Sequence, residues 1–368
     1  MQVVIGDMFI HLTWQSALIV ILLGFIGGVL SGFTGSGGAF FMTPGMMNLG
    51  ISGVVAVGSN VAHRLGNNMM GAIKHAKLGN VDKRLALFLM VPALIAVRFA
   101  VWINGILFKG AGGEEGEQAV GAAKALSNFY ISAVFVGVLT LVGIFILRDA
   151  LGSGSKDDSG PSMKMANFLA KLPLHPYINF PVADVRVSLW LVILVGFGIG
   201  YLDGTVAIGG FLGVPAMIYL FGVPTSVAPG TELFLAAFGG GLAALSYAYQ
   251  GMVDLRLAFL LLLGSIIGVY VGTYGTKVVK EVMIRMVMGS VILLCVLSRM
   301  AAIPVYLRQL KWVSYAPSLD PWFQGLSTAL LFAAGIGGAG LILALVFKAN
   351  VERRKIQETL QVTKPAEF

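Results

Sequence analysis

The chain has 368 residues, of which 57% are hydrophobic and 11% are charged. A soluble chain of this length carries about a quarter charged residues, so the composition excludes a soluble globular protein and points to a polytopic membrane protein. A surplus of basic over acidic residues, 25 against 17, sits in loops and tail, where it sets membrane orientation and implies no nucleic-acid partner.

The first apolar run, about Thr13 to Phe33, is long enough at about 1.5 Å per residue to cross a hydrocarbon layer of roughly 30 Å. It lacks a basic start and continues into glycines instead of a cleavage site, so it reads as a retained helix and not a signal peptide. After Gly35 to Gly38 comes a shorter piece, Ala39 to Leu49, and the two read as a hairpin with a non-helical tip. Non-helical backbone at membrane depth is tolerated only where protein buries it or where it lines a wet cavity.

Further segments are predicted at Ser52–Ala76, Leu85–Phe108 and Val120–Leu147. The turn before the second of these carries Lys74, Lys77, Lys83 and Arg84 and is assigned to the cytoplasm, with His75 placed in the same loop. Glu114, Glu115 and Glu117 fit the outer side. The polar stretch Arg148 to Asp184 reads as a cytoplasmic linker. A second set follows at Arg186–Leu202, Val206–Phe221, Thr225–Tyr249, Leu255–Thr276 and Val282–Ser298. Basic residues now cluster after the fourth segment of the set, at Lys277, Lys280 and Arg285, and not before it, so the halves are expected to be inverted. A final span, Phe323–Phe347, leads into a basic tail with Arg353 and Arg354.

The tally is nine to eleven segments in an all-α chain. Its divisions are a first membrane repeat (1–147), a linker (148–185), a second repeat (186–303) and a loop, last helix and tail (304–368). The loop with Arg299, Arg308 and Lys311 has to lie outside despite its charge.

The halves share sequence. A shift of 172 positions carries Gly24, Gly28 and Gly32 onto Gly196, Gly200 and Gly204, and Gly37 and Gly38 onto Gly209 and Gly210. It also pairs Gly50 with Gly222, Gly58 with Gly230, Gly79 with Gly251, Asp82 with Asp254 and Arg84 with Arg256. Interrupted apolar segments at matching places in two halves are a sequence pointer to a transporter's binding site.

Polar groups inside the predicted spans are few. Asn60, Arg64, Asn67 and Gly71 share one face of the third segment, flanked by His63 and Ser59. An arginine at mid-membrane costs at least about 2.5 kcal/mol and faces a cavity or a partner. Its planar fork suits an oxyanion. The competing reading is a buried pair with Asp203 or Glu232 that pins the halves together.

The shift maps Ser31 onto Asp203 and Asn60 onto Glu232, so the second half carries carboxyl groups where the first has neutral ones. Carboxyl groups in a dry site are the type a proton-coupled carrier uses, although Asp203 beside a helix break also suits a cap or a fixed salt bridge. At the breaks, Thr34, Gly35, Ser36, Gly37 and Gly38, with Thr205, Gly209 and Gly210, are candidates to cradle an anion on exposed N–H groups. Close helix packing explains part of the glycines without any ligand. No Walker lysine, haem signature or metal-ligand spacing occurs, so neither a cofactor nor a metal is expected, and the chain does not read as an enzyme. The lone cysteine, Cys295, reads as packing.

With these residues in view, the chain resembles the sulfite exporter TauE/SafE family over about residues 17–100 and 188–290. The resemblance rests on the doubled glycine pattern, on Pro215 and on Gly230-Thr231-Glu232. It implies a permease of the cytoplasmic (inner) membrane for sulfur-containing anions such as sulfite or organosulfonates, often an exporter. The linker and the polar loop before the last span depart from the family pattern. The resulting expectation is a secondary transporter with possible proton or sodium coupling, Arg64 as principal ligand and Thr231 among the site residues. An anion channel and a membrane assembly or signalling subunit are the alternatives.

Overall fold

A computed structural model describes residues 12–34, 37–109, 117–152 and 163–362. The first half contains α1 (Trp14–Thr34), α2 (Ala39–Asn48), α3 (Gly53–Lys77), α4 (Lys83–Lys109) and α5 (Glu117–Gly152). A short helix α6 (Lys164–Ala170) and an antiparallel pair, β1 (Tyr177–Phe180) and β2 (Val185–Ser188), join it to the second half. There follow α7 (Leu189–Val206), α8 (Gly209–Tyr219), α9 (Ala228–Tyr249), α10 (Leu255–Val278), α11 (Glu281–Gln309) and α12 (Asp320–Val362). Among the described residues eight helices are long and apolar enough to cross a membrane. The chain is an all-α polytopic membrane protein. Helix α3 has the length, 25 residues, but carries the polar stripe, while α2 and α8 are half-length pieces of 10 and 11 residues.

Sequence repetition reappears as contact repetition. Gly24, Gly28 and Gly32 of α1 lie against the backbone of Leu261, Ser265 and Val269 of α10. Gly196, Gly200 and Gly204 of α7 lie against Leu89, Ala93 and Val97 of α4. Both sets are related by the same 172-residue shift, so the first helix of each half packs on the fourth helix of the other. A Cβ at these glycines would strike main-chain atoms, which is how small residues bring membrane helices close.

Helices α3 and α9 obey the same rule. Gly58 meets the Met252 carbonyl just beyond α9, and Gly230 meets the Asn80 carbonyl just beyond α3. Ser59 Oγ accepts the Asp254 N–H at 2.9 Å, and Thr231 Oγ1 accepts the Asp82 N–H at 3.0 Å. The two helices therefore run antiparallel, each start against the other's end.

Several boundaries differ from the sequence reading. Helix α11 reaches Gln309 and α12 extends beyond Phe347 at its end, because Glu, Arg, Lys and Gln continue a helix outside lipid as readily as Leu does inside it. The predicted span at Arg186 instead begins with strand β2, and α7 starts three residues later. The β1–β2 turn is tied down by Asp82, whose Oδ2 accepts the Val182 and Ala183 N–H groups at 3.1 and 3.0 Å. Arg299 is buried and donates to Asn48 and Ser327, and Arg308 pairs with Asp320. Two of the three positive charges in the awkward outer loop are thus either inside the bundle or neutralised. His75, assigned to a loop from the sequence, lies in the last turn of α3.

Candidate substrate site between the hairpin tips

Each hairpin reverses through left-handed backbone. In the first, Gly37 and Gly38 have φ of 86° and 66°, values glycine adopts at little cost. In the second, Ala207 does so at φ 62°, a conformation disfavoured by about 1–2 kcal/mol for a residue with a Cβ. The tips meet: the Phe40 and Phe211 rings, each near the start of its short helix, pack edge to face with centroids 4.5 Å apart.

Arg64, halfway along α3, sits between them at 2% exposure. Its Nη1 donates to Asp203 Oδ1 at 2.6 Å and to the Ala207 carbonyl, both in the second hairpin. Among the described residues its Nε has no hydrogen-bond partner. A Cβ placed on Gly37 would lie 2.7 Å from that Nε, so the guanidinium fits against the first tip only because position 37 has no side chain. Asp203 also accepts the Gly209 N–H at 3.3 Å. It thereby serves both as partner of Arg64 and as cap for the first turn of α8, the two bland roles that the sequence allowed it.

The rest of the α3 stripe divides. Asn60 donates to Thr43 Oγ1 at 2.8 Å, and its Oδ1 faces His63 Nδ1 at 3.3 Å. His63 Nε2 is 2.7 Å from Ser265 Oγ on α10, and Asn67 Nδ2 reaches the same hydroxyl at 3.1 Å. Toward α9 lies Asn68, unremarked in the sequence, buried with neither side-chain atom hydrogen-bonded. Glu232, also buried, has no partner on either carboxyl oxygen, and it fills space that the absent side chain of Gly213 leaves on α8.

A cavity of about 1020 Å³ opens beside this cluster at the end where α3 meets α4. Ser31 and Phe33, Asn67 and Asn68, and Val214 and Pro215 contribute one wall each from α1, α3 and α8. Arg64, His63, Asp203 and Glu232 are not among its lining residues. Along α3, Asn67 and Asn68 are the cavity-lining residues nearest in sequence to His63 and Arg64.

Of the residues singled out from the sequence, the fold brings together Arg64, Asp203 and Gly37. Asn60, His63 and Asn67 form a hydrogen-bonded chain beside them. Gly209 caps onto Asp203, while Gly38 packs on the Gly27 carbonyl and Gly210 is buried in the first turn of α8. Thr34 closes α1, and Gly35 and Ser36 lie outside the described residues. Thr205 is buried, its carbonyl accepting from Asn104. Thr231 spends its hydroxyl on the backbone of Asp82. Sequence reasoning passed over Thr43, Asn68 and Ser265; Asn68 alone carried a signal, as an amide one turn beyond Arg64.

A family model described as "Sulfite exporter TauE/SafE" matches residues 20–299, from α1 well into α11. The chain is 29% identical over 279 residues to the "Probable membrane transporter protein YjnA" of Bacillus subtilis (strain 168), covering 74% of this chain and 96% of that one. It is 24% identical to the "Probable membrane transporter protein YunE" of the same organism, over 76% and 96% of the two chains. It is 25% identical to a "Probable membrane transporter protein" of Xylella fastidiosa (strain 9a5c), over 71% and 85%. A doubled, glycine-packed membrane scaffold and these matches over most of its length lead to one conclusion: the chain belongs to the sulfite exporter TauE/SafE family of membrane transporters.

Proposed function

We propose that this protein is a secondary transporter of small sulfur-containing anions such as sulfite, working as an exporter in the cytoplasmic membrane, with Arg64 as the principal anion ligand. The observation that carries the reading is a buried guanidinium with an unpartnered Nε, held between two hairpin tips beside a cavity open at one end. A planar donor fork in a water-poor site is suited to a trigonal or tetrahedral oxyanion. Asn67 and Asn68 supply further polar groups on the cavity wall.

The ion pair with Asp203 suggests how transport is coupled. An anion arriving at Arg64 competes with the Asp203 carboxylate. A proton taken up by Asp203 removes that competitor, so proton and anion bind and cross together, outward where the anion's own gradient points out of the cell. Glu232, with no hydrogen bond to break, is a second place to carry the proton. The antiparallel course of α3 and α9 supports inverted halves, and such halves alternate access by rocking about a site at their interface. The cavity, bordered by Lys77, shares its end of the bundle with the α3–α4 turn, where Lys83 and Arg84 follow, so the positive-inside rule supports an inward-facing state.

The test is sulfite flux in proteoliposomes. Uphill flux driven by a proton gradient is expected for the wild type, and Asp203→Asn or Glu232→Gln should leave only downhill exchange. Full gradient-driven flux in both variants would remove the coupling role. Flux that never exceeds equilibrium in the wild type would favour an anion channel.

A further inference from the structure

The shift that relates the halves also relates the two ends of the transport path, and the ends are in different states. At the end away from the cavity, Tyr247 of α9 is fully buried, and its hydroxyl donates to the Gly204 carbonyl of α7. Asn104 of α4 donates to the same hydroxyl and to the Thr205 carbonyl. That end is sealed, with α9 bonded across to the hairpin.

At the cavity end the matching residues are His75 for Tyr247, Gly32 for Gly204 and Phe33 for Thr205, each 172 positions earlier. All three line the open cavity. The backbone setting of His75 duplicates that of Tyr247. The His75 carbonyl accepts the Asn80 N–H at 3.0 Å, and the Tyr247 carbonyl accepts the Met252 N–H at 2.9 Å. His75 Cβ packs on Gly230, and Tyr247 Cβ packs on Gly58. One thing is missing: among the described residues His75 makes no bond to the hairpin, and its Nδ1 is buried without a partner.

We propose that His75 is the gate residue of the cavity end, and that when this end closes its ring N–H donates to the Gly32 carbonyl, as the Tyr247 hydroxyl donates to Gly204 at the sealed end. The inference rests on the alternating-access reading, because only there do the two ends exchange states. The imidazole is shorter than a phenol, so closure brings α3 nearer to α1 than α9 stands to α7. The sealed end thus serves as a template for the conformation in which the cavity is closed.

Spin labels on Leu78→Cys and Tyr274→Cys, both exposed at the cavity rim, report this closure by pulsed dipolar spectroscopy in liposomes without any anion. The background is Cys295→Ala. The chain with His75 in place should show a long and a short distance. His75→Phe should deplete the short one, and His75→Tyr, which differs from Phe only in the hydroxyl, should restore a short population, at a slightly longer distance than with histidine. Equal distributions in the Phe and Tyr variants, or one unchanging distance in all three proteins, would overturn the proposal. Failure of the transport reading shows separately, as absence of sulfite flux in proteoliposomes of the wild type.

Discussion

In the first half, the helix that follows the hairpin carries Asn60, His63, Arg64, Asn67 and Asn68; at the same positions in the second half stand Glu232, Leu235, Ala236, Gly239 and Gly240. The glycine faces, the capping hydroxyls of Ser59 and Thr231 and the turns that follow α3 and α9 are nonetheless duplicated contact for contact. The difference teaches where duplication was kept and where it was given up. Main-chain approach between helices depends on missing side chains, which both copies retain. Charge at the meeting of the tips cannot be duplicated, since two guanidinium groups side by side in low dielectric would repel. The first half therefore contributes the cation and the second the carboxylates.

This contrast can be broken most forcefully at its charged centre. Arg64→Ala strands the Asp203 carboxylate in the core, and Asp203→Ala strands the guanidinium. Each should cost about 3–5 kcal/mol of stability in detergent, and the double variant should lose less than the sum. The matching positions, Ala236 and Ser31, hold no such pair, so Ser31→Ala should change the melting temperature little. Additive losses in the double variant would show that the two groups act independently.

The duplicated scaffold gives a smaller and symmetrical effect. Gly28→Ala drives a methyl into the Ser265 backbone, and Gly200→Ala drives one into the Ala93 backbone. Each should destabilise by about 1–3 kcal/mol, and by similar amounts, as thermal unfolding of the purified variants will report. One tolerated and one not would mean that the two crossings are not equivalent. Smallest is the loss of a capping hydroxyl. Ser59→Ala and Thr231→Ala each leave one buried N–H unmatched and should cost about 1 kcal/mol. Thr231→Ala should leave sulfite affinity unchanged, because its hydroxyl is engaged by Asp82.

Much of the frame was legible in the sequence because apolar runs near twenty residues and glycines at fixed spacing are local signals. Helix α3 could be placed despite its polarity, since its length and its position after the hairpin matched those of α9. The pairing of Arg64 with Asp203 was legible only as one of two partners. It joins residues 139 apart, and nothing local says which carboxylate the crossing of α3 and α7 brings within reach. Ser265 was invisible for the same reason: its role depends on α10 lying beside α3. The two short strands were missed because four-residue alternation beside a long apolar run reads as the start of the helix. His75 carried a signal in its match to Tyr247, hidden because imidazole and phenol share no residue class.

The most direct test of the account is a calorimetric titration of sulfite into purified protein, comparing wild type with Arg64→Gln, which keeps much of the side-chain volume and one donor but not the charge. The account predicts saturable binding in the wild type and its loss in a variant that still elutes as a folded species. Unchanged sulfite affinity in Arg64→Gln would contradict it.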